Sequence, residues 1–270
     1  MASKIISRPA PFRDLSGGSL MILAAGFGTR LRPLTEHLPK ALVPVAGMPL
    51  LELWLRRLRP LKPATLLVNG HYRVTQLEGY LAAAAYGFRE VRLLREDPIL
   101  DTGGGLKRAL AFARGPFLAT VNVDAVTDIS PVLALPRHFL TRALVTMILH
   151  DSPRYNQVEV DDCGRITAFG LKRARPGRRL LAYTGLQVCS PRLFHLLRRR
   201  PEAVFPLVPF YQRLLAAGRR DLRVCVVDTA DKFYWRDAGT PGDLEALEED
   251  LRTRPGLARR LGFPEISGGC

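Results

Sequence analysis

The apolar residues of this chain fall into short runs, and in the first half these runs alternate between two patterns. SLMILAA (19–25) and ATLLVNG (64–70) are continuous apolar runs, typical of buried strands. Between them, PLLELWLRRL (49–58) places its leucines at helical spacing behind Pro49, and proline is favoured at a helix start. This alternation predicts a parallel sheet covered by helices on both faces.

The same alternation continues through residue 124 and then gives way to a pattern richer in strands. VTQLEGYLAAAAY (74–86) predicts a helix, EVRLL (90–94) a strand, and GPFLATVNVD (115–124) another strand, with a helix beginning near Gly104. Later segments predict strands joined by turns, followed by two helices, a strand and a last helix. They are 142–150, 156–170, 180–190, 191–200, 204–217, 222–228 and the helix from Pro241. The expected fold is α/β: an open, Rossmann-like, mixed and mostly parallel sheet flanked by helices, with a β-rich second half.

One domain is expected over 20–252, divided near residue 140 into an alternating half and a β-rich half. Residues 1–19 predict a flexible N-terminal extension, and 253–270 a C-terminal tail. No apolar run approaches the roughly 20 residues of a membrane span, and the first 20 residues lack the apolar block of a secretory signal. The sequence carries no signal for oligomeric state.

Composition narrows the class of partner. The four cysteines are scattered without a C-x-x-C pair, which favours reduced thiols in a cytoplasm over a zinc site or a disulfide framework. The formal charge is +15, and only six of the 40 basic residues are lysine. Arginine-rich solvated faces explain most of that charge, a phosphate-attracting cleft adds to it, and a nucleic-acid surface is the less favoured alternative.

The turn after the first strand has the chemistry of an anion site. In AAGFGTR (24–30) four residues have almost no side chain, so backbone N–H groups can approach a phosphate, and Arg30 adds a charged fork. The dinucleotide fingerprint would need glycine at Leu31, and the Gly-Lys-Ser/Thr of the P-loop is absent. Lys40, in LPKALVPVAGMPLLE (38–52), brings a second cation to the same loop region.

These two segments resemble the signature of the sugar-1-phosphate nucleotidyltransferases. That signature is L-A-A-G-x-G-T-R-L-x-P-L-T followed by P-K-x-L-x-P-V-x-G-x-P, and residues 23–35 and 39–49 reproduce it nearly in full. The resemblance implies that the loop holds a nucleoside triphosphate and that 20–140 is the nucleotide-binding half. The nucleotide-binding residues it implies here are Leu23, Ala24, Ala25, Gly26, Gly28, Thr29, Arg30 and Lys40.

Three further segments extend the resemblance. ILDTGGGLKRAL (99–110) is similar to the T-G-G-G segment of N-acetylmuramate-1-phosphate uridylyltransferases, which implies nucleotide contacts from Gly103 and Gly104 at a helix start. Asp124 and Asp237, in VNVD and WRDAGT, match the two aspartates that hold Mg²⁺ in the family. Arg30, Lys40 and Asp124 are then the catalytic residues, and Asp124 and Asp237 the metal ligands; Asp124 also belongs to the implied nucleotide-binding set. Asn69, at a strand end near the expected base pocket, is a further candidate base contact.

One departure stands beside the first aspartate: Val123 replaces the family's usual glycine. A branched side chain there is expected to narrow the room beside the ribose or sugar.

The second half, 141–252, is expected to bind the acceptor. SPRYNQVEVDDCGRI, FGLKRARPG and YTGLQVCSPRLF resemble sugar-contacting segments of hexose-1-phosphate thymidylyl- and uridylyltransferases. Asn156 replaces a glycine, and the glutamates and proline around the family's lysine are missing near Lys172. The acceptor-binding residues implied by this resemblance are Tyr155, Asn156, Glu159, Lys172, Thr184 and Gly185.

The sequence thus predicts a Mg²⁺-dependent enzyme of sugar-nucleotide and cell-envelope biosynthesis. It would convert a nucleoside triphosphate and a sugar 1-phosphate into a nucleotide sugar and pyrophosphate by direct in-line attack, with no nucleic-acid or membrane partner. A mild preference for UTP follows from the T-G-G-G resemblance. Three alternatives stay open: a phosphocholine or other phospho-alcohol acceptor, a nucleotide-binding relative without catalysis, and a basic nucleic-acid-binding protein.

Overall fold

The computed structural model describes residues 12–84, 87–230 and 232–263. Its strands are β1 (Ser19–Leu23), β2 (Pro44–Val45), β3 (Met48–Pro49), β4 (Thr65–Gly70), β5 (Val91–Arg95), β6 (Leu118–Asn122), β7 (Ala125–Thr127), β8 (Val145–His150), β9 (Val158–Val160), β10 (Ile166–Phe169), β11 (Arg179–Cys189), β12 (Leu222–Val226) and β13 (Trp235–Asp237). Its α-helices are α1 (Leu50–Leu58), α2 (Val74–Ala84), α3 (Asp101–Leu110), α4 (Leu135–Leu140), α5 (Pro191–Arg198), α6 (Leu207–Ala216), α7 (Pro241–Thr253) and α8 (Leu257–Leu261).

The central sheet has the order β10–β9–β11–β6–β1–β4–β5, with β8 beside β11 and β12 beside β8. β1 pairs in parallel with β4 and β6, β4 with β5, and β8 with β12, whereas β11 runs antiparallel to its neighbours. The predicted mixed, mostly parallel α/β sheet is therefore confirmed. Two small ribbons, β2–β3 and β7–β13, lie outside it.

Side chains alternate between two apolar layers, one on each face of the sheet. In β1, Leu20 and Ile22 belong to one buried cluster and Met21 to the other. Leu66 and Leu67 of β4 divide in the same way. Helical cover on both faces explains why these strands are continuous apolar runs in the sequence.

Part of the expected N-terminal extension packs against the domain. Leu15 is fully buried, and its N–H donates to the carbonyl of Leu61 at 2.7 Å. The loose-extension prediction is therefore wrong from residue 12 onward, because an apolar leucine in a polar segment can still fill the end of the core; residues 1–11 lie outside the described part.

Part of the predicted C-terminal tail also packs against the domain. Helix α8 buries Leu257 and Leu261 against the core, and residues 264–270 lie outside the described part. Within the residues that are described, no helix combines the length and apolar character needed to cross a bilayer.

Two buried histidines make folding stability sensitive to acid. His138 of α4 and His150 of β8 are 3% and 2% exposed, and burial lowers the pKa of each to about 4. The unfolded chain, with a histidine pKa near 6.5, binds these protons first, so the folded state loses stability as pH falls from about 6.5 to 4. Each histidine contributes on the order of 3 kcal/mol to that loss.

We expect the free energy of unfolding, measured by urea denaturation between pH 7 and 4, to fall less steeply in His138→Asn than in the wild type. The asparagine amide can replace the ring nitrogen that lies 3.0 Å from the hydroxyl oxygen of Thr146. His195→Asn, at an exposed position, is the control. An unchanged slope in His138→Asn would contradict the assignment.

Candidate active site

The buried side-chain amide of Asn69 anchors the loop that follows β1. The Oδ1 atom of Asn69 accepts the N–H of Ala24 at 2.7 Å, and its Nδ2 donates to Oε1 of Glu96 at 2.8 Å. Ala24 and Ala25 are buried, whereas Gly26 and Phe27 are exposed. Among the described residues, no acceptor is present for the N–H groups of Gly26 or Phe27. The loop therefore presents backbone donors to solvent from a fixed base.

Gly28 brings the loop close to Lys40. Its φ is +66°, a left-handed conformation that glycine adopts without strain. A Cβ atom there would lie 2.8 Å from Cγ2 of Thr35 and 3.1 Å from Cβ of Lys40. The hydroxyl of Thr35 donates to the Gly28 carbonyl at 2.8 Å, which closes the turn. Glycine at this position thus lets the loop and the segment that carries Lys40 pack together.

Lys40 is paired with Asp124. Its ammonium group donates to Oδ2 of Asp124, and the two side chains are 13% and 20% exposed. Asp124 lies between β6 and β7, at the carboxyl end of the strand that neighbours β1. In open α/β sheets this edge is where ligands bind.

The ribbon β7–β13 carries Asp237 to the same place. Asp237 pairs with Ala125, and the N–H of Ala238 donates to the carbonyl of Asp124 at 2.8 Å. Nη1 of Arg30 lies 3.9 Å from Oδ2 of Asp237. The pKa of Asp237 is raised, first by burial and then by the negative charge of Asp124, while the cations of Lys40 and Arg30 oppose the rise. Two carboxylates and two cations therefore share one electrostatic cluster.

The donor set fits a magnesium ion that is completed by a substrate. Within the part of the chain that is described, no three histidine, cysteine or acidic side chains form a metal cluster. Mg²⁺ is usually bound by one or two carboxylates together with water and substrate phosphates, and does not require such a cluster. The repulsion between Asp124 and Asp237 is what a divalent cation would relieve.

The glycines of α3 serve packing in this structure, and their expected nucleotide contacts stay a prediction. The N–H groups of Gly103 and Gly104 both donate to the carbonyl of Phe205, at 2.9 and 3.3 Å. A Cβ atom on Gly103 would lie 2.3 Å from the Phe205 ring, and one on Gly104 only 2.1 Å from the carbonyl oxygen of Ala203. The helix also begins at Asp101, earlier than predicted. Small residues at these positions let α3 touch the 203–205 segment.

Substitution of Gly104 tests that packing role. We expect Gly104→Ala to lower the free energy of unfolding by about 1–3 kcal/mol, because the new methyl group meets backbone. Gly79→Ala is the matched control: Gly79 lies in α2 with open space around it, so alanine should stabilise by up to about 1 kcal/mol. Urea denaturation compares the two, and an unchanged stability in Gly104→Ala would contradict the packing role.

Two other expectations near the nucleotide half also change. Asn69 is 3% exposed, and its oxygen and nitrogen both bind protein partners, so in this structure it positions the loop rather than presenting its amide to a base. Val123 is only 3% exposed and belongs to the apolar core. Its N–H donates to the carbonyl of Leu23 at 3.2 Å. Its branched side chain occupies the core, so the predicted narrowing of the pocket does not follow.

In the second half, Tyr155 and Lys172 stay available for a ligand. The ring of Tyr155 packs edge-on against the ring of Trp235, with centroids 5.4 Å apart. Trp235 lies two residues before Asp237 in the sequence. Burial raises the pKa of Tyr155, and the charges of Asp243 and Asp237 add to the rise, which places the ring near the carboxylates. Lys172 is exposed and has no ion-pair partner among the described residues.

The remaining acceptor candidates are engaged inside the protein. Asn156 caps its own turn: Oδ1 accepts the N–H of Ser152 at 2.9 Å and Nδ2 donates to Asp151 at 2.7 Å. Glu159 is fully buried, and hydrogen bonds from Arg175 lower its pKa to about 2. Direct sugar contact by these two side chains is therefore not what this structure favours, because both already have strong partners.

Thr184 and Gly185 form a bulge in β11. The Thr184 hydroxyl donates to the carbonyl of Ile148 at 2.8 Å, and the residue is fully buried. Gly185 has φ +85° where the register with β8 shifts. Thr184 and Gly185 were expected to line a sugar pocket. In this structure the buried side chain of Thr184 instead stabilises the bulge. The Thr184 carbonyl accepts Nε1–H of Trp235 at 2.7 Å and so orients that ring.

Sequence reasoning assigned no role to Trp235, Glu96 or Asp243. Trp235 lies inside the quoted WRDAGT segment, which was a usable signal. Glu96 holds Asn69 and also accepts the N–H of Leu100 at 2.9 Å. Asp243, 5% exposed, accepts the Thr240 hydroxyl at 2.7 Å and lies 3.4 Å from Arg154. No local motif marks these last two residues.

Known proteins share the sequence pattern and the fold of this chain. The sequence model of the family described as nucleotidyl transferase matches residues 19–254. An N-acetylmuramate alpha-1-phosphate uridylyltransferase of Caulobacter vibrioides is 33% identical, over 86% of this chain and 96% of its own length. A mannose-1-phosphate guanylyltransferase of Mycobacterium tuberculosis is 28% identical, over 86% of this chain and 64% of its own length.

A solved structure shares the fold. HddC from Yersinia pseudotuberculosis superposes with a TM-score of 0.67 at 20% identity, covering 86% of this chain and 99% of its own. The same protein complexed with GMP-PN gives a TM-score of 0.66. At this identity the likeness supports the architecture alone.

Proposed function

This chain belongs to the nucleotidyl transferase family, and we propose that it is a Mg²⁺-dependent enzyme that makes a nucleotide sugar and pyrophosphate from a nucleoside triphosphate and a sugar 1-phosphate. UTP is the proposed nucleotide. The Caulobacter relative is named a uridylyltransferase acting on N-acetylmuramate 1-phosphate, and that sugar phosphate is the leading candidate acceptor here.

One observation carries the proposal: Asp124 and Asp237, far apart in sequence, meet beside Lys40 and Arg30 at the end of β1. Two polyanionic substrates repel each other at reacting distance, so an enzyme that joins them needs positive charge and a divalent ion between them. The exposed N–H groups of the 24–30 loop lie at the same edge of the sheet. This arrangement supports nucleotidyl transfer over mere nucleotide storage.

In the proposed reaction an oxygen of the sugar phosphate attacks the α-phosphorus in line. The new P–O bond forms as the bond to the β-phosphate oxygen breaks, and pyrophosphate leaves with the bonding electrons, without a covalent enzyme intermediate. Lys40 and Arg30 bind the triphosphate oxygens and stabilise the charge that develops on pyrophosphate. Binding of the nucleotide would draw Lys40 from its resting partner, Asp124.

Asp124 and Asp237 would hold the metal. When bound, Mg²⁺ would neutralise phosphate charge and align the α-phosphate with its attacker. Tyr155 and Trp235 form an aromatic surface next to Asp237, suited to the apolar face of a sugar ring, and Lys172 is free to bind the acceptor phosphate.

A relative without catalysis is the main alternative, since Val123 and the Lys172 segment depart from the family pattern. The buried position of Val123 weighs against it, because the side chain packs into the core. Such a protein would bind a nucleoside triphosphate and release no pyrophosphate with any acceptor.

A pyrophosphate-release screen tests the proposal. The nucleotides are ATP, CTP, GTP, UTP and dTTP, and the acceptors are N-acetylmuramate 1-phosphate, hexose 1-phosphates, mannose 1-phosphate and phosphocholine, each with Mg²⁺ and with EDTA. We expect release with UTP and a sugar 1-phosphate, abolished by EDTA. Release with CTP and phosphocholine alone would identify the phospho-alcohol activity instead, and nucleotide binding without release would contradict catalysis.

A further inference from the structure

Three arginines converge at the turn between β9 and β10, outside the cluster of Lys40 and the two aspartates. Arg165 and Arg223 form an isolated antiparallel bridge, so their side chains lie directly opposite each other on neighbouring backbones. Arg137 of α4 donates from Nη2 to the carbonyl of Cys163, in the same turn. A Cβ atom on Gly164 would lie 2.7 Å from that Nη2. Arg137 therefore contacts the turn that carries Arg165, and Arg223 lies opposite Arg165, so the three arginines lie together.

None of the three charges has an acidic partner within ion-pair distance in the described part of the chain. The Nε atoms of Arg137, Arg165 and Arg223 are all buried without an acceptor, and none of the three side chains forms an ion pair there. Burial first, and then the charges of Arg165 and Arg137, lower the pKa of Arg223, while the negative charge of Asp161 opposes that fall. Like charges opposite one another, and buried donors without partners, each destabilise a fold.

The turn carries two acids, Asp161 and the exposed Asp162, and Asp161 is already engaged. Oδ1 of Asp161 accepts the N–H groups of Cys163 and Arg165, at 3.0 and 2.8 Å, and Oδ2 lies 3.6 Å from Arg178. Asp161 therefore shapes the turn, pairs with a fourth arginine and offsets only part of the charge of Arg223. Positive charge therefore remains in excess among Arg137, Arg165 and Arg223.

We propose that the arginines of α4, β12 and the β9–β10 turn form a binding site for a phosphate group, distinct from the proposed catalytic centre. Guanidinium forks match phosphate oxygens in pairs, and a phosphate dianion can accept from several forks at once. A single carboxylate carries one charge and two oxygens, and would leave most of the donors unpaired. A bound phosphate would fasten the turn to α4 and to β12.

Cys163 provides a reporter inside the site. Its thiol is exposed, and its carbonyl binds Arg137, while Cys189 is buried and Cys225 half-buried. The substitution Cys270→Ser removes a second thiol from the assay. Ellman's reagent is an anion, so the three arginines should attract it and raise the initial rate at which it modifies Cys163. Pyrophosphate or inorganic phosphate should slow that rate at least about threefold at constant ionic strength, adjusted with KCl. UMP tests whether the phosphate of a nucleotide also enters.

Two charge-removing variants decide the proposal. Arg165→Gln and Arg223→Gln should each lose the protection, Arg223→Lys should retain part of it, and the exposed Arg199→Gln should behave like the wild type. Circular dichroism confirms folding of each variant.

Protection that persists in both glutamine variants, equal slowing by KCl, or no slowing at all would overturn the site. Asp237→Asn separates it from the catalytic proposal: protection lost in that variant would mean that the signal comes from the catalytic centre.

Discussion

Asp237→Asn should lower kcat/KM for pyrophosphate release by about 100- to 1000-fold, the range observed when one preorganised electrostatic contact is removed from an active site. Asparagine keeps the size of the side chain and its place in β13, so the fold should be unchanged. What it removes is one of the two negative charges that would hold the metal. The loss should therefore appear as a weaker dependence on Mg²⁺, with partial recovery of rate at high Mg²⁺ concentration.

Glu245→Gln is the matched control, because it removes one negative charge from an exposed position of α7, the helix that follows β13. Steady-state kinetics over a Mg²⁺ titration compare the variants. Wild-type kcat/KM and an unchanged Mg²⁺ profile in Asp237→Asn would contradict the metal role and, with it, the central claim about the site.

Lys40→Ala is expected to reduce kcat/KM by about 10- to 150-fold, which corresponds to a charge-assisted contact of about 1.5–3 kcal/mol in the transition state. The structure adds a second consequence. Without the ammonium group, Asp124 and Asp237 face each other with less compensation, because Lys40 is a cation that lowers the pKa of Asp237. The variant should therefore depend more strongly on Mg²⁺ than the wild type does.

The double variant Lys40→Ala/Asp124→Asn separates the two effects. If Lys40 acts only as the partner of Asp124, the double variant should be no worse than Asp124→Asn alone. If Lys40 contacts the leaving pyrophosphate, the double variant should have a clearly lower kcat/KM than Asp124→Asn alone. Lys232→Ala, at an exposed position, is the control for loss of a lysine. Turnover like the wild type in Lys40→Ala would exclude this residue from the mechanism.

The sequence predicted the architecture well because its strands are buried on both faces. Runs such as residues 19–25 are continuous and apolar, and their alternation with helical patterns leaves few other topologies. The elements missed were short ones, β7 and β13 among them, whose three residues carry no periodicity. That ribbon brings Asp237 to Asp124, so the key contact was expected only through the resemblance and not through local pattern.

Site residues were harder to predict, because a motif does not reveal what its side chains and amides already bind. Gly103 and Gly104 permit a close approach, and the group that approaches them in this structure is the 203–205 segment, which no local motif announces. Thr184 and Glu159 are engaged by partners outside their own motifs: the carbonyl of Ile148, 36 residues away, and the exposed Arg175, 16 residues away. The ion pair between Lys40 and Asp124 was not predicted, because Lys40 reaches Asp124 from a segment 17 residues beyond the end of β1, whereas Asp124 directly follows β6.

The β7–β13 ribbon has a consequence for biosynthesis. A nascent polypeptide that has left the ribosome only as far as Ala230 already contains the loop, Lys40 and Asp124, but not the strand that delivers Asp237. Competence for chemistry would then arise late in translation, when β13 docks onto β7. Chains that terminate prematurely before Trp235 should accordingly be inert, however much of the central sheet they have assembled.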